Sequence, residues 1–218
     1  MPNIHRLIAA PGHRFILAGG GVFLLGLFAS SHWLALLGLL GTLFFAYFFR
    51  DPERLIPQEP GLVISPADGK VVLVDEVWED KFLGRPAQRV AIFMNVFDTH
   101  VNRSPIAGTV VASRHQPGRY QAAYRAAADR VNEQQSTLLE SQEGCRVLVV
   151  QIAGLLARRI IPYVQPGQRL AKGERLGMIC FGSRVDLYLP PDAEILVKKG
   201  DRVQAGTSIV ARWWMPAA

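Results

Sequence analysis

The sequence predicts a mostly β fold of the α+β class, in which a β domain follows an N-terminal hydrophobic helical hairpin. Three observations carry that reading. Residues Phe15 to Phe49 contain no Lys, Arg, Asp or Glu. The remainder breaks into short β-branched runs punctuated by Gly and Pro. Two Gly-punctuated patterns each occur twice within that remainder. A chain of 218 residues suffices for one ordinary domain with an appendage, and 50% hydrophobic with 19% charged residues excludes disorder.

The charge-free stretch is bounded by Arg14 and Arg50. One helix over its 35 residues would be about 52 Å long against a hydrocarbon core of roughly 30 Å, so it must be broken. The break falls at Ser30-Ser31-His32, giving helices over 15–29 and 33–49, each short of a full span. A hairpin returns the chain to its starting side, and Arg6, Arg14, Arg50 and Arg54 flank its open end. That charge placement predicts a hairpin (residues 1–49) associated with the cell membrane and a domain (residues 50–218) on the cytoplasmic side. A cleaved signal peptide is disfavoured, because the segment ending at Phe28-Ala29-Ser30-Ser31 runs directly into a second apolar segment. Gly19-Gly20-Gly21 permits close helix packing.

In the domain, strands are predicted over 70–77, 89–96, 108–113, 146–152 and 184–189, from their length and β-branched content. The Ala-rich run 121–132 is the one predicted helix. Ser65-Pro66-x-x-Gly69-x-Val71 recurs 39 residues later as Ser104-Pro105-x-x-Gly108-x-Val110. Val164-x-x-Gly167-x-x-Leu170-x-x-Gly173-x-x-Leu176 recurs after 33 as Val197-x-x-Gly200-x-x-Val203-x-x-Gly206-x-x-Ile209. Gly turns between short apolar steps resemble the flattened β sandwich or barrel of biotinyl and lipoyl carrier domains. Lys70, Lys172, Lys198 and Lys199 read as solvated turn charges, not as a modified hairpin-tip lysine. A membrane-tethered carrier or scaffold is the rival from another class.

Composition narrows the chemistry. A net charge of +6 without any run of five like charges points to an anionic membrane surface, with no nucleic-acid partner. Two cysteines, Cys145 and Cys180, cannot build a disulfide framework, and their apolar neighbours predict reduced thiols. The domain's histidines, His100 and His115, stand in no metal-binding arrangement, so no metal site is predicted. No G-x-S-x-G elbow exists for a serine hydrolase. The polar candidates are Asp68, Asp98, His100, Asn132, Glu133 and Ser183.

The segment from Lys172 through Gly182-Ser183 to Pro190 resembles the processing site of phosphatidylserine decarboxylase proenzymes. The likeness extends, in the family's order, to residues 65–71, 94–105, 116–118 and to Asn132-Glu133, covering nearly all of 50–210. With the preceding hairpin the chain resembles the family's short prokaryotic form. The resemblance implies self-cleavage between Gly182 and Ser183, leaving a β chain (1–182) and an α chain (183–218) that stay associated. It implies a pyruvoyl group, the covalent pyruvate cofactor derived from Ser183, which forms a Schiff base with the substrate amine and serves as electron sink. It implies phosphatidylserine as substrate, phosphatidylethanolamine and CO2 as products, and phospholipid biosynthesis as the setting. A related archaeal-type serine lipid is the alternative substrate, and homo-oligomerisation is left open.

Within that resemblance His100 is the proton-transfer candidate, an imidazole that serves as acid or base near neutrality; the alternative is a structural histidine beside Asp98. Asp68 resembles the acidic residue implicated in self-processing, and also reads as an Asx turn before Gly69. Long forms carry a second His three residues after the first, where this chain has Arg103, so an Asp-His-Ser relay does not transfer intact. Arg103, Asn132 and Glu133 are the substrate-binding candidates, the last two reading equally as a helix cap. His115 reads as structural.

Overall fold

The computed structural model describes residues 7–121, 123, 128–155, 159–180 and 182–213. The chain divides between Glu53 and Arg54 into two compact units.

The first unit is a helical hairpin, α1 (Gly12–Phe28) and α2 (His32–Phe48), closed by a turn in which Ser30 takes a positive φ of 53°. The helix begins ahead of the predicted boundary because Pro11, with φ already at −61°, starts it, and one charge at Arg14 does not end a helix. Packing follows a seven-residue interval on each helix. A Cβ on Gly12, Gly19 or Gly26 would strike Phe49, Thr42 or Ala35, and one on Gly38 would strike the Phe23 backbone. Of the Gly19-Gly20-Gly21 triplet, only Gly19 meets the facing helix. Each helix is about 25 Å long at 1.5 Å per residue. Among the described residues no helix is long and apolar enough to cross a membrane.

The second unit opens with β1 (Leu62–Ile64), β2 (Gly69–Glu79), β3 (Arg85–Met94), β4 (Val101–Arg103) and β5 (Gly108–Gln116). One turn of helix, α3 (Ala128–Val131), leads to β6 (Gln134–Glu140), β7 (Arg146–Ile152), β8 (Ile160–Pro162), β9 (Arg169–Leu170) and β10 (Arg175–Ile179). The chain ends through β11 (Ser183–Leu189), β12 (Glu194–Ile195), β13 (Arg202–Val203) and β14 (Ile209–Arg212). Eight strands form an antiparallel sheet in the order β13-β2-β3-β11-β7-β6-β5-β9, flanked by the three-stranded sheets β1-β14-β12 and β4-β10-β8.

All five predicted strands are present, and β7 has the predicted bounds. The strand β6 escaped prediction because its sequence, QQSTLLE, is polar. It is nonetheless almost wholly buried, with Gln135 Nε2 donating to Ser113 Oγ at 2.8 Å on the neighbouring strand. The helix predicted over 121–132 is not formed at its ends. Arg119 N–H bonds to Val131 O and Glu133 N–H to Arg119 O, a strand-like exchange that leaves α3 as one turn. Residues 122 and 124–127 of that prediction lie outside the described residues. Of the four lysines, Lys172 departs from its reading, being half-buried with Nζ donating to the Glu59 carbonyl at 2.7 Å. Burial lowers its pKa.

Both internal repeats fold as repeats. Ser65 Oγ donates to Ala67 O and Ser104 Oγ to Ile106 O, each at 2.7 Å. Val71 N–H bonds to Asp201 O while Gly200 N–H bonds to Val71 O, and Val110 does the same with Gln168 and Gly167. Each copy carries a bulge just after its valine. The copies also grip each other, through Ile64 N–H to Pro105 O at 3.1 Å and Arg103 N–H to Pro66 O at 2.9 Å.

The strand that places the predicted cleavage site is β11, paired on one edge with β3 and on the other with β7. Val185, Leu187 and Leu189 enter the main core, while Tyr188 packs against the cluster of Leu138, Leu148, Val150 and Ile152. Strand alternation therefore puts Ser183 with the main core and Arg184 and Asp186 with the other face. There Arg184 grips Asp186 at 2.6 and 2.7 Å with both side chains fully buried. Burial pushes the Asp186 carboxyl upward in pKa, and Arg184 pulls it back. Asp186→Ala takes the paired carboxylate away from a buried guanidinium and should cost about 3–5 kcal/mol in urea unfolding. Arg184→Met with Asp186→Leu should recover most of that loss.

Candidate active site

Ser183 enters β11 from a tight turn. Gly182, just before it, has φ of +66°, in the left-handed region that glycine occupies without steric cost. The Ser183 side chain is fully buried, and among the described residues its hydroxyl has no hydrogen-bond partner. A polar group left so in the interior costs about 1–3 kcal/mol, so each such exception calls for an explanation, a chemical role among them.

His100, also fully buried, reaches the same turn. Its loop is stiffened by the Asp98 carboxylate, which accepts the Asn95 N–H at 2.9 Å and Arg202 Nη2 at 2.5 Å. The ring bonds to the Asp98 backbone carbonyl through Nδ1 at 2.9 Å and meets the Gly182 N–H through Nε2 at 3.4 Å. A carbonyl only accepts and an amide N–H only donates. Nδ1 therefore carries the proton, and Nε2 turns its lone pair toward the Gly182-Ser183 junction.

Asp68 belongs to a second group. Its Oδ1 accepts the Ala205 N–H at 2.7 Å and its Oδ2 accepts Arg54 Nη2 at 2.8 Å. Both oxygens are thus engaged, one by the Ala205 amide and one by Arg54. Arg103, buried, donates from Nη1 to the Gly173 carbonyl at 3.1 Å. A Cβ added to Gly206 would meet Arg103 Cδ at 3.1 Å and Arg54 Cβ at 3.4 Å, so Asp68, Arg54 and Arg103 gather around the Ala205-Gly206 turn.

Asn132 and Glu133 hold backbone and neighbours. Asn132 Oδ1 accepts the Gln121 N–H at 2.9 Å, and Nδ2 donates to Gln121 O at 2.8 Å and Ala153 O at 2.7 Å. Glu133 accepts the Tyr120 hydroxyl at 2.5 Å and lies 3.2 Å from His115 Nε2. Among the described residues no cluster of three or more His, Cys, Asp or Glu could hold a metal. Neither Cys145 nor Cys180 is in a disulfide, and burial pushes the Cys145 thiol up to about 11.

A model of the family described as phosphatidylserine decarboxylase matches residues 42–211. The chain belongs to the phosphatidylserine decarboxylase family. It is 48% identical over 207 residues to a protein of Symbiobacterium thermophilum, covering 94% of this chain and 95% of that one. It is 44% identical to a Syntrophus aciditrophicus protein (92% and 95% covered) and 44% identical to a Mycolicibacterium smegmatis protein (97% and 90% covered). All three relatives are named phosphatidylserine decarboxylase proenzyme. Among solved structures, the glucose permease IIA from Mycoplasma capricolum superposes at a TM-score of 0.41 with 15% identity, over 69% of this chain and 93% of the other. That likeness is too weak to bear on fold or function.

Several residues around the decarboxylase-family motif carry no recognisable signal in sequence. Arg54 lies 14 residues from the aspartate it pairs with. Gln151 is fully buried, donates to Asn102 Oδ1 at 2.8 Å, and keeps an unpartnered Oε1. Its position on alternate sites of an apolar strand was the one available hint. At the turn itself, none of the described residues lies within 4 Å of a Cβ added to Gly182, so substitution there meets chiefly the backbone cost. Gly182→Ala should destabilise the uncleaved chain by about 1–2 kcal/mol, and Gly182→Asn by less, in urea unfolding in a Ser183→Ala background.

Proposed function

We propose that this chain makes its own catalytic carbonyl from Ser183 and uses it to convert phosphatidylserine to phosphatidylethanolamine and CO2 on the cytoplasmic face of the cell membrane. The observation that carries the proposal is the buried, unpartnered Ser183 hydroxyl directly after a left-handed glycine. In the first step Oγ bonds to the Gly182 carbonyl carbon, the C–N bond breaks, and the hydroxyl proton ends on the Ser183 nitrogen. Loss of the Cα proton then expels Oγ with the Gly182 acyl group as a carboxylate. The dehydroalanine left behind takes up water and releases ammonia, which yields the pyruvoyl group on the Arg184 nitrogen.

The site fits that group. A pyruvoyl has one heavy atom fewer than the seryl residue it replaces, and conversion removes a buried hydroxyl for which the described residues offer no partner. Its carbonyl supplies the electron sink that lets the substrate carboxylate leave. His100, whose Nε2 faces the junction, is the proposed proton-transfer residue. Asp68 bears on self-processing through position, by way of Arg54 and the Ala205-Gly206 turn. Arg103 is the proposed partner of the substrate's anionic groups, with Arg54 beside it. Asn132 and Glu133 support the site through the backbone that they hold.

Cleavage leaves the two chains interlocked. Residues after 182 supply β11, held between β3 and β7, together with β13 on β2 and β14 on β1. The hairpin is proposed as the anchor, since Leu17, Leu24, Phe28, Trp33, Leu37 and Leu43 are all exposed on it.

Denaturing electrophoresis of active protein should show two chains, the smaller blocked to Edman sequencing, and Ser183→Ala should remain one inactive chain of 24.1 kDa. In the same experiment His100→Ala should still give both chains while turnover falls ~10²–10⁴-fold. A single intact species from active wild type would sink the mechanism, and loss of cleavage in His100→Ala would move that residue into self-processing. Deleting residues 1–49 should release the domain from vesicles in a flotation assay with cleavage retained.

A further inference from the structure

We propose that Gly154 is a positioning residue for self-processing: its bare backbone is the floor that holds the Gly182 carbonyl in line for Ser183. The proposal rests on the reading of Gly182-Ser183 as the cleaved bond. A Cβ on Gly154 would collide with the Gly182 carbonyl oxygen and approach the Cβ of Ala123 to 3.4 Å. Gly154 is not among the residues with positive φ, so no left-handed φ calls for glycine there. Only the space on the Gly182 side demands glycine. Gly182 shows the converse, with a left-handed φ and open space around its absent side chain. The two glycines divide the requirement between them, one for conformation and one for close approach.

The floor is itself pinned. Ala153 N–H donates to Glu133 O at 3.0 Å, and Ala153 O accepts Asn132 Nδ2 at 2.7 Å. The same Asn132 amide clamps both backbone groups of Gln121, two residues before Ala123. Asn132 is buried completely and spends its amide on backbone, which makes it a second positioning residue, acting through Gly154. On the other side, Ile152 is paired to Arg184, so Ala153-Gly154 leaves the sheet alongside the Gly182-Ser183 junction. In the acyl shift the Oγ–C bond forms and the C–N bond breaks, and the attack requires the carbonyl to be correctly directed toward Oγ. A misplacement of about 1 Å in such a step costs about 10²-fold in rate.

The test uses the full-length chain in detergent, followed by denaturing electrophoresis and intact mass, with and without hydroxylamine. Hydroxylamine cuts the Ser183 ester and leaves a hydroxamate on Gly182, so it reports the acyl shift separately from the later elimination. Gly154→Ala should melt like the Ser183→Ala chain, yet cleave about 100-fold more slowly than wild type both with and without hydroxylamine. Cleavage at the wild-type rate, or full recovery on adding hydroxylamine, would overturn the role. Asn132→Asp, which turns two donors into acceptors against carbonyls, should slow the same step about tenfold or more. It decides the matter if Gly154→Ala does not fold, and wild-type cleavage in a folded Asn132→Asp chain would then overturn the proposal. Wild-type protein that never cleaves at Gly182-Ser183 would instead remove the reading on which the role rests.

Discussion

Ser183 is the first residue of a strand hydrogen-bonded along both edges, and the residue before it is a glycine in the left-handed region. That junction is the constraint on which the rest of the arrangement depends. A strand held between β3 and β7 cannot rotate about its axis, so the Ser183 hydroxyl stays in the interior where no partner satisfies it. The turn before it swings the Gly182 N–H to His100 and the Gly182 carbonyl onto Gly154. The buried Arg184-Asp186 pair fixes the opposite face of the strand one residue later. A reactive peptide is thereby presented by rigid elements and not by a loose loop, which suits a step limited by geometry.

The two copies of the Ser-Pro-x-x-Gly-x-Val motif explain how so many short strands reach one sheet. Each copy receives the Gly-rich segment from far along the chain and bonds to it by the same pattern, so the halves are woven through one another. The groups that line the site come from both. Asp68 follows the first motif's serine and His100 precedes the second's, while Ser183 lies between β10 and β14, which belong to different copies of the longer repeat.

Much of this was legible in sequence. Strands with β-branched alternation, the hairpin and its turn, both repeats and the Gly182-Ser183 segment were read from composition, spacing and motif. What was missed has physical causes. β6 is polar in composition yet buried, with Gln135 bonded across the sheet to Ser113, and hydrophobic periodicity cannot see that. The helix over 121–132 was read from alanine content, whereas Asn132 and the Arg119-Glu133 exchange impose an extended path at its ends. In the site, the long-range pairs Arg54 with Asp68 and Gln151 with Asn102 depend on topology, and no local pattern encodes them. Gly154 was equally silent, since a glycine required by a neighbour's carbonyl looks like any other loop glycine.

The duplicated motif also lets one chain serve as its own control. Ser65 and Ser104, Gly69 and Gly108, and Val71 and Val110 agree between copies, and each matched pair makes matching bonds or meets a neighbouring carbonyl in the same way. Those positions encode the scaffold. Where the copies part company, Asp68 stands opposite Ala107 and His100 opposite Gly61, so the shared framework does not dictate the residue at either place. Subtracting one half of the molecule from the other therefore separates the residues that both copies of the framework share from those that belong to one copy alone.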